Sequence, residues 1–114
     1  MHELGIVKHV IAQAEKTAEE NGAERVLKLT LEIGEVSSIV PSYFTDCFEW
    51  AKKKTRLMRD TELEMIILKA VSYCTKCKNT YKTTEHAKIC PYCKSAETYL
   101  VTGNEMTIKD MVIE

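Results

Sequence analysis

The chain has 114 residues, 45% of them hydrophobic, with a formal net charge of −1 at pH 7 and a sequence pI near 6.3. That is room for one small domain, or for one domain with a small metal-held lobe. A near-neutral balance argues against a nucleic-acid binder, and with neither an apolar run long enough to span a bilayer nor a signal-peptide pattern, no membrane partner and a cytoplasmic location are expected.

Leu4, Val7, Ile11, Ala14 and Ala18 recur at helical spacing, with Lys8, Gln13, Glu15, Lys16 and Glu19 on the other side. This predicts an amphipathic helix over about residues 4–20, closed by Asn21-Gly22 and weakened in its first turn by Gly5. Leu27, Leu29, Leu31 and Ile33 alternate with Lys28, Thr30 and Glu32, the pattern of a strand with one buried face. Pro41 suits the first turn of a second helix, with Phe44, Cys47, Phe48 and Ala51 as its apolar stripe and Lys52-Lys53-Lys54 at its end. A second strand is expected from about residue 61 to residue 71, running straight into Tyr73. A last strand pattern covers Tyr99 to Val101, is interrupted at Gly103-Asn104, and resumes with Met106 and Ile108. Met111 and Ile113 then fall on the opposite parity, which predicts a bulge or turn near Lys109-Asp110.

Between the last two strands stand Cys74-Thr75-Lys76-Cys77 and Cys90-Pro91-Tyr92-Cys93. Two close thiolate pairs can surround one tetrahedral ion, and in the cytosol such pairs serve as metal ligands more often than as disulfides. Residues 74–93 offer little to bury, so a bound ion would supply their folding energy. Four thiolates leave no open position for water, which makes the zinc structural rather than catalytic. Iron is chemically compatible with four sulfurs, but no other redox element accompanies the motif. The order of elements reads as an α+β protein: two helices packed on a three-stranded sheet, residues 1–72 plus 97–114, with residues 73–96 inserted as a four-cysteine, zinc-ribbon-like domain.

The amino terminus holds a second set of donors. A bulky second residue predicts that Met1 is retained, so the Met1 amine, the His2 amide nitrogen and the His2 imidazole come within chelating reach, with the Glu3 amide or carboxylate in support. Amide nitrogens bind only after losing a proton, which suits nickel(II) or copper(II) and suits zinc poorly. A polar residue at a frayed end is the alternative reading of His2. No nucleophile–base pair, phosphate loop or open metal site is assembled by spacing, so no enzyme is expected.

Met1-His2-Glu3-Leu4, Leu31-Glu32-Ile33-Gly34-Glu35, the two Cys-x-x-Cys pairs and Gly103-Asn104-Glu105-Met106, in this order over the full length, resemble the HypA family of nickel metallochaperones. The resemblance implies a nickel-binding domain carrying a zinc domain as an insertion. It implies nickel(II) as cargo held by His2 with the Met1 amine and nearby backbone nitrogens, and His86 as a possible further ligand. It also implies delivery to the large subunit of nickel–iron hydrogenase with a HypB-type GTPase as partner, and in some relatives a link to urease. The rival reading is a zinc-ribbon module for nucleic acid or a transcription partner, resting on Lys52, Lys53, Lys54, Arg56 and Arg59. Self-association into a homodimer is compatible with either.

Overall fold

Helix α1 spans His2–Glu20 and buries Val7, Val10, Ile11, Ala14 and Ala18. The structure is a computed structural model; it describes residues 2–114 except for the side chain of His2. The helix ends as Asn21-Gly22 predicts. Gly22 takes φ +70°, its N–H donates to Glu19 O at 3.0 Å, and the Ala23 N–H donates to Ala18 O at 2.9 Å, the paired bonds of a left-handed glycine stop.

Strand β1 (Val26–Gly34) buries Leu29, Leu31 and Ile33, but Leu27 is exposed and Val26 takes the buried place at its start. The Val26 N–H donates to Leu57 O at 2.8 Å and its carbonyl accepts the Thr61 hydroxyl at 2.7 Å, which draws that residue inward. Helix α2 (Pro41–Lys52) opens on proline and buries Phe44, Phe48 and Ala51; Cys47 is only half-buried. Leu57 and Met58, in the turns after α2, complete the core. They lie in a lysine- and arginine-rich stretch without periodicity, which gives no sequence sign of burial.

Strand β2 (Glu62–Leu68) stops short of the expected residue 71. A separate strand, β3 (Val71–Cys74), begins after a two-residue gap in another sheet. Strand β4 (Thr80–Lys82), the short helix α3 (Thr83–His86), strand β5 (Thr98–Thr102) and strand β6 (Met106–Ile113) follow. There are two three-stranded sheets, ordered β2-β1-β6 and β4-β3-β5. Tyr99 to Val101 therefore pairs with β3 rather than with β1. Along β6 the half-buried residues Met106, Ile108 and Met111 change parity across Lys109-Asp110, where sequence placed the irregularity.

The chain forms two compact units: residues 1–32, 39–66 and 107–114, and residues 33–38 and 67–106. In the second unit three passing segments are tied together. Gly34 N–H bonds Glu105 O at 2.7 Å, Glu35 N–H bonds Leu68 O at 2.9 Å, and Val36 N–H bonds Gly103 O at 2.9 Å. The Glu35 carboxylate accepts the Ala70 N–H at 2.6 Å, and Glu105 accepts the Gly103 N–H at 2.7 Å. The Ala70 amide is satisfied by this carboxylate, and β2 has ended at Leu68.

Candidate metal centre

Cys74 ends β3, Cys77 follows in a tight turn, and Cys90 and Cys93 form a second turn of the same kind. In the first, Lys78 N–H donates to Cys74 O at 2.8 Å and Cys74 N–H to Asn79 O at 2.9 Å. In the second, Lys94 N–H donates to Cys90 O and Cys90 N–H to Ser95 O, both at 2.9 Å. The four sulfurs lie within 4.8 Å of one another, with Cys74 and Cys93 3.6 Å apart and Cys77 and Cys90 3.5 Å apart. These separations exclude disulfides, whose sulfurs sit about 2.05 Å apart. They approach the ~3.8 Å edge of a tetrahedron built on zinc–sulfur bonds of about 2.3 Å.

The surroundings favour ionised sulfur at Cys74 and Cys90 and oppose it at Cys93. The Cys77 amide draws the Cys74 thiol below its ordinary value, against burial. At Cys90 burial acts upward, but the amides of Cys93 and Tyr92 outweigh it and hold the thiol at about 7. Cys93 receives the Ser95 amide, yet burial and its three sulfur neighbours push it up to about 11. Such crowding leaves the sulfurs short of positive charge, and a divalent cation supplies it. Asn79 donates to Cys77 Sγ at 3.5 Å. Tyr81 is buried with Cys74 and Cys90, and its hydroxyl donates to Ala87 O at 2.7 Å. The donor set fits zinc.

Lys78 and Lys94, each directly after a second cysteine, take φ of 61° and 64°, the left-handed region that favours glycine. Replacing either with glycine is expected to stabilise the metal-loaded protein by roughly 0.5–1 kcal/mol, read as a raised thermal midpoint. Unchanged midpoints in both variants would show that the lysine side chains compensate for the backbone.

The other sequence-marked residues lie elsewhere. Met1 and the His2 side chain fall outside the described residues. Glu3 stands half-buried in the first turn of α1 and lines a cleft with Tyr43, Asp46 and Cys47. His9 is exposed. His86 is exposed on α3, edge-on to the Tyr81 ring with centroids 6.0 Å apart, and is not among the clustered ligands. The cationic stretch after Trp50 is not a free stripe. Lys52 is paired with Glu49 at 2.6 Å and donates to Thr61 O at 2.9 Å, while the Lys54 ammonium sits 4.5 Å from the Trp50 ring centre. That arrangement engages two of the five cations on which the nucleic-acid reading rests. Among the described residues no helix is long and apolar enough to cross a membrane.

Helices packed with two three-stranded sheets and a cluster of four thiols, which fill a tetrahedron and leave no open position, define a metal-binding protein. A family model described as "Hydrogenase/urease nickel incorporation, metallochaperone, hypA" matches residues 1–113. The chain is 34% identical to the hydrogenase maturation factor HypA of Dechloromonas aromatica over 114 residues, and 31% identical to that of Actinobacillus succinogenes, in both cases across 100% of either chain. The solution structure of the nickel metallochaperone HypA from Helicobacter pylori aligns with a TM-score of 0.75 at 26% identity, covering 97% of this chain and 96% of that one. The chain belongs to the HypA family; it is a metallochaperone of hydrogenase maturation and not an enzyme.

Proposed function

We infer that this protein takes up nickel(II) at its amino terminus in the cytoplasm and delivers it to the large subunit of nickel–iron hydrogenase, in concert with a HypB-type GTPase. In this reading the first compact unit is the nickel-binding domain, and Cys74, Cys77, Cys90 and Cys93 hold zinc as scaffold. The observation that carries it is the family match from residue 1, which takes in the Met-His-Glu start.

The local backbone supports it. A helix beginning at His2 leaves the first amides of α1 without acceptors inside the helix. Those nitrogens are therefore free to give up protons to a strongly polarising ion and join the Met1 amine and the His2 imidazole. Glu3, half-buried in the same turn, provides the nearby carboxylate. A planar set of successive nitrogens is flatter than a helical turn, so loading opens the start of α1, and Gly5 makes that opening easier. Donors on one terminal segment can be peeled away one at a time, as handover requires.

Calorimetric nickel titration of three proteins tests the assignment. The chain with a free Met1 amine is expected to bind tightly. Acetylation of the Met1 amine is expected to weaken binding strongly, because the nitrogen can no longer coordinate. Gly5→Ala, with open space around the new methyl group, is expected to stabilise the helix by about 0.5–1 kcal/mol and to weaken nickel by a similar amount. Equal affinity of the acetylated and native chains would remove the amine from the site.

A further inference from the structure

The four cysteines do not share the surface equally. Cys74 and Cys90 are buried, whereas Cys77 and Cys93 are half-buried and form the outer side of the cluster. Lys76 and Lys78 flank Cys77, while Tyr92 and Lys94 flank Cys93. All four are exposed, and each is one peptide step, about 3.8 Å between Cα atoms, from a ligand. The sulfurs of Cys77 and Cys93 lie within 4.8 Å of each other, so closing the ligand set gathers these neighbours into one cap. Tyr92, at 66%, is the most exposed large hydrophobic side chain among the described residues, and Ile89, beside Cys90, is 47% exposed.

The cap belongs to a lobe of one charge. From residue 67 to residue 96 the chain carries six lysines, Lys69, Lys76, Lys78, Lys82, Lys88 and Lys94, no arginine, and Glu85 as its one acid. All six lysines are exposed, and none forms an ion pair among the described residues. A divalent ion held by four thiolates is left with a net charge of roughly −2, which two lysines would offset. The lobe holds more lysines than that charge requires. The rest of the chain is acidic in sum, since the whole carries −1. Positive charge is therefore concentrated around exposed apolar groups, where solubility alone would intersperse both signs.

We propose that this cap is a docking site for an acidic segment of another protein that also carries an apolar side chain, and that the metal at the four cysteines assembles it. Carboxylates meet Lys76, Lys78 and Lys94 as point charges, and the apolar side chain covers Tyr92 and Ile89. A nucleic acid fits less well. Phosphate readers draw on arginine forks and a basic excess, and this lobe has no arginine in a chain that is acidic overall. Contacts made by exposed lysines are weak and salt-sensitive, which suits a partner that must leave again. Metal loading then decides whether the protein can dock.

The test uses the full-length, zinc-loaded chain without nickel, so its outcome is independent of the amino-terminal site. The probe is a short labelled peptide of alternating glutamate and phenylalanine, followed by fluorescence anisotropy. It is expected to bind at low salt, to be released as salt is raised, and to fail with glutamine in place of glutamate. Lys76→Glu and Tyr92→Ser are each expected to weaken binding about two- to fivefold at unchanged zinc content. Lys78→Gly combined with Lys94→Gly, which relieves the backbone, is expected to weaken it roughly five- to tenfold while raising the thermal midpoint, a pair of effects that damage to the fold cannot give. Chelation is expected to abolish binding. The proposal is overturned by a glutamate peptide that does not bind at low salt, by equal binding of the glutamine peptide, or by an affinity that neither the lysine replacements nor chelation moves. It is overturned equally by a uridine oligonucleotide that displaces the peptide at lower concentration, which makes the cap a nucleic-acid surface, or by a peptide that binds only by dissociating an oligomer in sedimentation, which gives the cap to a second copy.

Discussion

Gly34→Ala is expected to destabilise the metal-bearing unit by about 3 kcal/mol, among the larger effects of any single methyl group in this chain. A Cβ on Gly34 would be driven into the Gly103 carbonyl and the Asn104 amide, which are backbone and cannot swing aside. Gly103 is constrained in turn. It takes φ +115°, and a Cβ there would lie 2.5 Å from Ala70 Cα and 2.6 Å from Ala70 Cβ. The three segments are stacked backbone on backbone and tied by the Gly34–Glu105, Val36–Gly103 and Glu35–Ala70 hydrogen bonds, so relief at one contact strains the next. The other glycines provide the scale. Gly22, at φ +70° with open space around it, should lose only about 1 kcal/mol on change to alanine, and Gly5 should gain. Denaturant unfolding of the metal-loaded variants, followed by the amide signals of β3 and β5, checks the ranking. Gly34→Ala matching Gly22→Ala would show that the crossing is not tightly packed.

Removal of the metal should be equally severe and confined to the second unit. Its buried cluster is Tyr81 with Cys74 and Cys90, while Ile89 and Tyr92 are exposed, so hydrophobic burial alone cannot offset the entropy of ordering the lobe. Binding energy at such sites is folding energy, on the order of 10 kcal/mol in small zinc modules. Chelation at neutral pH is expected to collapse the dispersed amide signals of residues 71–102 and to leave those of Val7 to Ala18 in place. Acid should act in the same direction. Each thiolate must lose its metal bond before it takes a proton, so zinc affinity falls as pH falls. A lobe that stays well dispersed after complete metal removal would contradict the scaffold role.

Much of this architecture was readable in advance because local chemistry determined it. The 3.6-residue spacing of Val7, Ile11, Ala14 and Ala18 marked α1, Gly22 marked its end, and Pro41 marked the start of α2. Cysteine spacing marked the cluster because a two-residue gap is what a turn around one ion needs. Other features depend on partners distant in sequence. Leu57 and Met58 are buried by what packs over them, Val26 displaces Leu27 because Leu57 and Thr61 bond to it, and β2 ends where Glu35 reaches Ala70. The carboxylates of Glu35 and Glu105 hold backbone amides at the segment crossing, a role that no local pattern announces. The left-handed lysines were hidden as well, since glycine, the residue that announces such a conformation, is absent at 78 and 94. Tyr43 and Trp50 are exposed on the outer side of α2, an exposure that follows from the packing of α1 against the helix.

The central claim, a nickel site built on His2, is tested most directly by competition. Protein with its native amino terminus exposed and His2→Ala should each be titrated with nickel(II) against a mild chelator, with zinc content measured in parallel. The account predicts that the native chain captures the ion, that His2→Ala leaves it with the chelator, and that both retain zinc at the four cysteines. Equal capture by the two proteins would contradict it.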